Sequence, residues 1–284
     1  MAIANIHGVN IVYRVFGHEG PWLAINLGGR RGHEEMVPLA QKISQQGFRV
    51  LLHDRRNTGA SDILIAGEDG EEQLFADDLT ALMDHLHAKP AFICGTSSGV
   101  RISLLAYKRI PQSVLGLILI RVTGGELAAT NLPQVYYADY ISAAQSGGMA
   151  AVCDMPLNRE RIKANPSNRE RLMSMDPKEY IRVMSHWMAI FKKGPHVPVF
   201  GVENYELESL RLPVMVVPGN DLSHGSATGK KAAELIPGSF LFEMPLDDQP
   251  ITLVPFTDWS EHEPLLADAI AKFMRQSISS QTKI

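Results

Sequence analysis

The chain has 284 residues, of which 45% are hydrophobic and 20% are charged, and its formal net charge is −4. These values are ordinary for a globular protein and suit one large domain with room for an insertion. The acidic balance offers no basic surface for nucleic acid, and no apolar run approaches the roughly 18 residues of a membrane span. We therefore expect a small-molecule substrate, no nucleic acid and no membrane partner, with a homodimer left open.

The N-terminus lacks the basic and apolar regions of a secretory signal peptide. Cys94 and Cys153 are too few for a disulfide framework, and Cys94 falls in a predicted buried strand. Both observations favour a reducing, cytoplasmic location.

Apolar runs and alternating patterns predict strands, and apolar residues at 3.6-residue spacing predict helices. The predicted strands are two edge strands in 4–16, followed by 22–27, 48–54, 91–94, 114–120, 212–217 and 239–244. The predicted helices are 36–46, 74–87, 100–107, 227–236 and 264–276, and residues 277–284 look like a polar tail. Strands that alternate with helices favour an α/β fold with a mostly parallel sheet covered on both faces.

The alternation stops between residues 124 and 210, where helical stretches prevail and no strand is predicted. We interpret residues 1–123 and 211–284 as the α/β core and residues 124–210 as a helical cap inserted into it. Such a cap would lie over the carboxyl edge of the sheet.

The most informative motif is Gly95-Thr96-Ser97-Ser98-Gly99, which stands between a predicted strand and a predicted helix. This order is typical of a nucleophile elbow, in which a strained turn exposes a serine at the carboxyl edge of the sheet. Glycine is needed on both sides because larger residues would collide with the strand and the helix. Ser97 is the predicted nucleophile.

Four segments taken together resemble the α/β-hydrolase superfamily, specifically a serine hydrolase with a helical cap. They are Leu27-Gly28-Gly29, Asp54-Arg55-Arg56-Asn57-Thr58-Gly59-Ala60-Ser61-Asp62, the elbow, and Pro218-Gly219-Asn220-Asp221-Leu222-Ser223-His224. The resemblance covers nearly the whole chain and implies the α/β-hydrolase fold. Neither a metal nor an organic cofactor is expected, since no cluster of His, Asp and Cys has ligand spacing.

A serine hydroxyl needs a neighbouring base, and the base needs a carboxylate that orients it. The resemblance implies the chain order Ser, acid, His, which makes Asp221 the acid. For the base we favour His262, which precedes the last predicted helix, where the family places this residue. His224 is the alternative, although the family often carries a non-catalytic histidine at that point.

The oxyanion hole requires two N–H donors aimed at one point. By resemblance, the first is the backbone N–H of Ser98 and the second belongs to the loop after the first interior strand, with Gly29 the preferred position. Leu27 stands where many family members have a histidine.

Three arginines lie near the predicted site, namely Arg30, Arg31 and Arg101. A guanidinium group can hold a substrate carboxylate through two parallel hydrogen bonds, and we prefer Arg30 for this role. Pairing with a protein carboxylate is the alternative. Trp187 in the cap and Trp259 in the loop before the last helix are predicted to contact the substrate.

These residues predict a serine hydrolase that cleaves a small or medium organic ester, lactone or related carbonyl compound. Two alternatives remain open: a carbon–carbon bond hydrolase acting on an acidic diketone, and a non-catalytic small-molecule receptor on the same fold.

Overall fold

The computed structural model describes residues 1–281. Its centre is one eight-stranded sheet with the spatial order β1-β2-β4-β3-β5-β6-β7-β8. The strands are β1 (Ala2–Ile6), β2 (Val9–Phe16), β3 (Trp22–Asn26), β4 (Arg49–His53), β5 (Ala91–Thr96), β6 (Val114–Ile120), β7 (Val214–Val217) and β8 (Phe240–Leu241). The pairs β1–β2 and β2–β4 are antiparallel, and all the other neighbours are parallel. The predicted α/β-hydrolase fold with its mostly parallel sheet is confirmed.

Eleven α-helices are present in the described residues. They are α1 (Val37–Ser44), α2 (Glu71–His85), α3 (Gly99–Arg109), α4 (Glu126–Pro133), α5 (Asp139–Cys153), α6 (Pro156–Ala164), α7 (Ser167–Met173), α8 (Pro177–Phe191), α9 (Asn204–Glu208), α10 (Ser226–Leu235) and α11 (Glu263–Gln281). None of the helices in this part of the chain is long and apolar enough to cross a membrane.

The parallel strands are apolar on both faces, because successive side chains point to opposite sides of the sheet. Ile93 packs into the cluster that contains α2 and α3 residues, while Cys94 packs into the cluster of α1 and α11. Continuous burial of these strands explains why their sequences are uninterrupted apolar runs.

Between β6 and β7 the described elements are all helical, as the sequence predicts. Helices α5 and α8 bring large side chains together in a third apolar cluster, in which Tyr137, Trp187 and Phe191 are buried. Helix α8 also borders two cavities, a larger one shared with α2 and α3 and a narrow one at the turn after β5.

Several boundaries differ from the predicted ones by a few residues, and two of the differences have a clear physical reason. The strand predicted at 239–244 is only Phe240–Leu241, and both of these residues are exposed at the sheet edge. The predicted tail continues helix α11 as far as Gln281, and residues 282–284 lie outside the described residues. An exposed edge strand has few packing partners, so it is short, whereas α11 buries an apolar face against α1.

Candidate active site

Ser97 occupies the turn between β5 and α3 with a positive φ of 56°, a conformation that L-residues rarely adopt. Its backbone N–H donates to the carbonyl of Ile120 at 3.0 Å, and its own carbonyl accepts from Val100 at 3.0 Å. A Cβ added at Gly95 would collide with the backbone of Gly99. The two elbow glycines therefore permit the close approach that keeps Ser97 in this strained position.

The hydroxyl of Ser97 lies 2.7 Å from Nε2 of His224, and the other ring nitrogen, Nδ1, lies 2.9 Å from Oδ1 of Asp221. An ionised carboxylate can only accept, so Nδ1 carries the hydrogen and Nε2 is left as the acceptor for the serine O–H. Thr123 Oγ1 is 3.2 Å from the same serine oxygen. The three side chains therefore have the geometry of a nucleophile, a base and an orienting acid.

Asp221 follows β7 and is fully engaged by hydrogen bonds. Its Oδ1 also accepts from the backbone N–H groups of Ser223 at 2.9 Å and His224 at 2.8 Å, and its Oδ2 accepts from the N–H of Val254 at 2.9 Å. Burial alone would raise the pKa of Asp221, but the hydrogen bond and charge of His224 together with these donors hold it well below its usual value. The carboxylate is therefore ionised at neutral pH.

Arg121, which follows β6, is a cation in direct contact with Asp221. Its Nη2 donates to Oδ2 at 2.6 Å and lies 3.3 Å from Nδ1 of His224. The pKa of His224 is lowered, mainly by burial and further by the charge of Arg121, while Asp221 acts in the opposite direction. The imidazole is therefore kept neutral, as a base must be.

The structure corrects the prediction that His262 approaches Ser97. His262 ends a 3₁₀ helix, Phe256–His262, and its imidazole makes no hydrogen bond or ion pair with any residue from 1 to 281, whereas Ser97 contacts His224. The segment before it contributes the backbone of Val254, not a ring, to Asp221. Both oxygens of the Asp221 carboxylate are already hydrogen-bonded, and the imidazole that contacts them is that of His224.

A local signal for His224 was present in the sequence. Asp221 and His224 are three residues apart, close enough for one tight turn, in which the N–H of His224 also donates to the carbonyl of Asp221 at 3.2 Å. Gly219 leaves room for this turn, because a Cβ there would collide with the backbone and the Cβ of His224. Arg121 had no such signal, since its position depends on the pairing of β6 with β7.

The predicted oxyanion residues lie beside Ser97. The backbone N–H of Gly29 points to the hydroxyl of Ser98 at 3.1 Å, and a Cβ added at Gly28 would collide with Ser97 itself. Arg55 donates to the carbonyl of Gly29 at 2.7 Å and fixes the orientation of this loop. The geometry therefore brings the backbone of Gly29 and that of Ser98 together beside the nucleophile.

The structure does not favour Arg30 as the group that holds a substrate. Both of its terminal nitrogens donate to Glu71, with Nη1 2.7 Å from Oε1, and its guanidinium also lies over the rings of Tyr136 and Tyr137. The pair is buried, so Glu71 satisfies the charge that a substrate would otherwise meet. Arg31 is exposed at the surface.

The two predicted tryptophans have different surroundings. Trp259 is 1% exposed, donates to Asn220 at 3.1 Å and packs against Arg121, so it supports the acid rather than facing a cavity. Trp187 lines a cavity of about 230 Å³ beneath the cap. A much narrower cavity of about 10 Å³ contains Ser97 and Ser98.

Within residues 1–281, no group of three or more His, Cys, Asp or Glu side chains has an arrangement that could hold a metal ion.

Comparisons with known proteins agree with this fold. The family profile described as alpha/beta hydrolase fold matches residues 26–140. A bifunctional esterase/perhydrolase, DCH, of Acinetobacter calcoaceticus is 24% identical over 257 residues, covering 84% of this chain and 88% of that protein. An uncharacterised hydrolase of Bacillus subtilis, YraK, is 29% identical over 110 residues, covering 39% of this chain and 40% of that protein.

Solved structures share the fold over almost the full length. The enol-lactonase of Burkholderia xenovorans LB400 has a TM-score of 0.65 at 20% identity, covering 96% of this chain and 100% of that one. A thermophilic esterase of Thermogutta terrifontis has a TM-score of 0.66 at 17% identity, covering 97% and 98%. The chain is thus an enzyme of the hydrolase type with the α/β-hydrolase fold, and its residues 26–140 match the family described by that fold.

Proposed function

We propose that the protein is a serine hydrolase that cleaves a small or medium ester or lactone, with Ser97 as nucleophile, His224 as base and Asp221 as acid. The observation that carries this proposal is the 2.7 Å contact between Ser97 Oγ and His224 Nε2, supported by the Asp221 carboxylate on the other side of the ring. The esterase and lactonase names of similar proteins support the same reaction class.

In the first step, His224 Nε2 takes the hydroxyl proton while Ser97 Oγ forms a bond to the substrate carbonyl carbon. The N–H groups of Ser98 and Gly29 stabilise the negative oxygen of the tetrahedral intermediate, and the Ser98 hydroxyl turns away from Gly29 to free that donor. Asp221 stabilises the imidazolium that has formed.

Collapse of the intermediate breaks the bond to the alcohol oxygen, which receives the proton from His224. Water then gives a proton to His224 and adds to the acyl carbon, and a second collapse releases the acid and restores the Ser97 hydroxyl. Arg121 holds the Asp221 carboxylate in place throughout, so the ring keeps one tautomer.

A fluorophosphonate probe tests the nucleophile, with hydrolysis of p-nitrophenyl acetate as the second readout. We expect labelling and turnover in the unaltered protein and neither in Ser97→Ala. Ser113→Ala, which changes another serine outside the site, should retain both. Tight binding of a small molecule without labelling would instead identify a receptor and overturn the proposal.

A further inference from the structure

Arg101 and Glu72 form part of the wall between the two cavities beneath the cap. Both residues, together with Phe191, line the narrow cavity around Ser97 and also the cavity of about 230 Å³. The narrow cavity holds about one water molecule, whereas the larger one has room for a small organic molecule. A substrate that extends from Ser97 into the larger cavity must therefore contact this pair.

Some polar atoms of Arg101 and Glu72 lack hydrogen-bond partners. Arg101 Nε lies 2.8 Å from Glu72 Oε2, but the two groups are not aligned as a hydrogen bond, and the side chains are only 13% and 10% exposed. In the part of the chain that the structure describes, Arg101 Nε and Nη1 and Glu72 Oε2 have no hydrogen-bond partner. A buried donor without an acceptor is costly, so a ligand that supplies acceptors is favoured here.

The surrounding chain leaves space for this guanidinium. Gly201 has a φ of +76°, and a Cβ there would collide with the terminal atoms of Arg101. The ring of Phe191 lies under the guanidinium, with 5.6 Å between the Arg101 Cζ and the ring centroid. The side chain is therefore positioned by packing, which reduces the entropy lost when it binds a ligand.

The local charge balance is positive. The buried guanidinium groups of Arg30, Arg55 and Arg161 and the partly buried one of Arg101 lie near only two carboxylates, those of Glu71 and Glu72. Arg30 takes both oxygens of Glu71, and Arg55 has backbone carbonyls as acceptors. An additional anion would reduce this excess of positive charge, and Arg101 is the member with hydrogen-bond donors left free at the cavities.

Building on the proposed function, we propose that Arg101 binds a carboxylate of the substrate, so that the enzyme prefers esters or lactones that carry a second, anionic group. Arg101 follows Ser97 by four residues, about one helical turn, and both side chains face the same narrow cavity. A linker of a few carbon atoms would span them. The substrate carboxylate would accept hydrogen bonds from Arg101 Nε and Nη1, beside Glu72.

The test compares monoethyl esters of the three- to six-carbon dicarboxylic acids with ethyl esters of monocarboxylic acids of equal length. We expect kcat/KM to favour at least one anionic ester. Arg101→Gln should lower kcat/KM for that ester roughly 10- to 100-fold through KM, and change the neutral ester less than about 2-fold. Arg101→Lys keeps the charge but loses the paired donors of the guanidinium. Its kcat/KM for the anionic ester should therefore lie between the values of the unaltered enzyme and of Arg101→Gln.

Two further variants separate binding from structure. Glu72→Gln removes the competing carboxylate and should lower KM for the anionic ester, opposite in sign to Arg101→Gln. Arg109→Gln is the matched control, because Arg109 lies on the same helix but is paired with Asp77 away from Ser97. Equal losses for anionic and neutral esters in Arg101→Gln, or no anionic preference in the unaltered enzyme, would overturn the inference.

Binding without turnover distinguishes this inference from the proposed function. Calorimetry with glutarate on the Ser97→Ala protein should give an affinity at least about 10-fold higher than on Ser97→Ala/Arg101→Gln. This result would stand even if no ester were hydrolysed. Equal affinities would overturn the carboxylate site while leaving the labelling result of Ser97 unaffected.

Discussion

Asp221 and His224 are separated by three positions in the chain, and the Asp221 Oδ1 atom lies 2.9 Å from His224 Nδ1. One short turn thus places both the acid and the base beside a serine more than a hundred residues earlier. The turn is held by the backbone N–H groups of Ser223 and His224, which donate to the same carboxylate oxygen.

Replacement of the base should abolish turnover. We expect His224→Ala to lower kcat for p-nitrophenyl acetate by at least about 10³-fold, because Ser97 then has no proton acceptor. His262→Ala is the matched control and should remain within about 2-fold. The reverse pattern, with activity retained in His224→Ala and lost in His262→Ala, would refute the assignment of the base.

Replacement of Arg121 should move the acid limb of the pH–rate profile. Arg121 lowers the pKa of His224, and its loss leaves Asp221 to raise that pKa. Because the neutral imidazole is the active form, kcat/KM in Arg121→Gln should decline at a higher pH than in the unaltered enzyme. A profile displaced to lower pH, or unchanged in position, would contradict this relationship.

Replacement by alanine should have different effects at the adjacent residues Gly28 and Gly29. Gly28→Ala places its Cβ against Ser97 and should reduce kcat at least about 100-fold, since small displacements of a nucleophile are costly. At Gly29 a Cβ meets nothing within 4 Å, so Gly29→Ala carries only the strain of a φ of +55°. Measuring kcat and the melting temperature of both variants checks this order. Equal losses would show that backbone strain, and not contact with Ser97, dominates.

Breaking the Arg30–Glu71 pair should lower the stability of the protein. Arg30→Met leaves Glu71 buried without a partner and should lower the free energy of unfolding by about 3–5 kcal/mol, and the double variant with Glu71→Met should recover part of that loss. Urea unfolding measures both. Arg182→Met, which breaks exposed pairs with Glu179 and Glu68, should have a much smaller effect. A small effect of Arg30→Met would argue against a buried structural pair.

Local patterns predicted most of the fold. Strand β6 has the predicted limits of Val114–Ile120, because burial on both faces requires an uninterrupted apolar run. The elbow lies where its glycines indicate, because the strained turn requires them. The superfamily was also recognisable from four short motifs. The spatial order of the strands is a tertiary property that no single segment carries.

The site was less predictable where partners are distant in the chain. Ser97 and Asp221 are in the predicted places, but the choice between two histidines depended on where the loop after β8 runs. The partner of Arg30 is 41 residues away on α2, so a cation that looked available in the sequence is neutralised in the fold. Arg101 also lies beside a carboxylate, but that of Glu72 is not aligned to accept a hydrogen bond from it.

Because His224 is the proposed base, the segment between β8 and α11 does not have to supply a side chain for proton transfer. That segment reaches Asp221 through the main-chain N–H of Val254, a contact that most amino acids at this position could make. Relatives that keep the Asp221–His224 turn, the main-chain donor at position 254 and the support given by Trp259 could therefore change the rest of this segment and remain hydrolases.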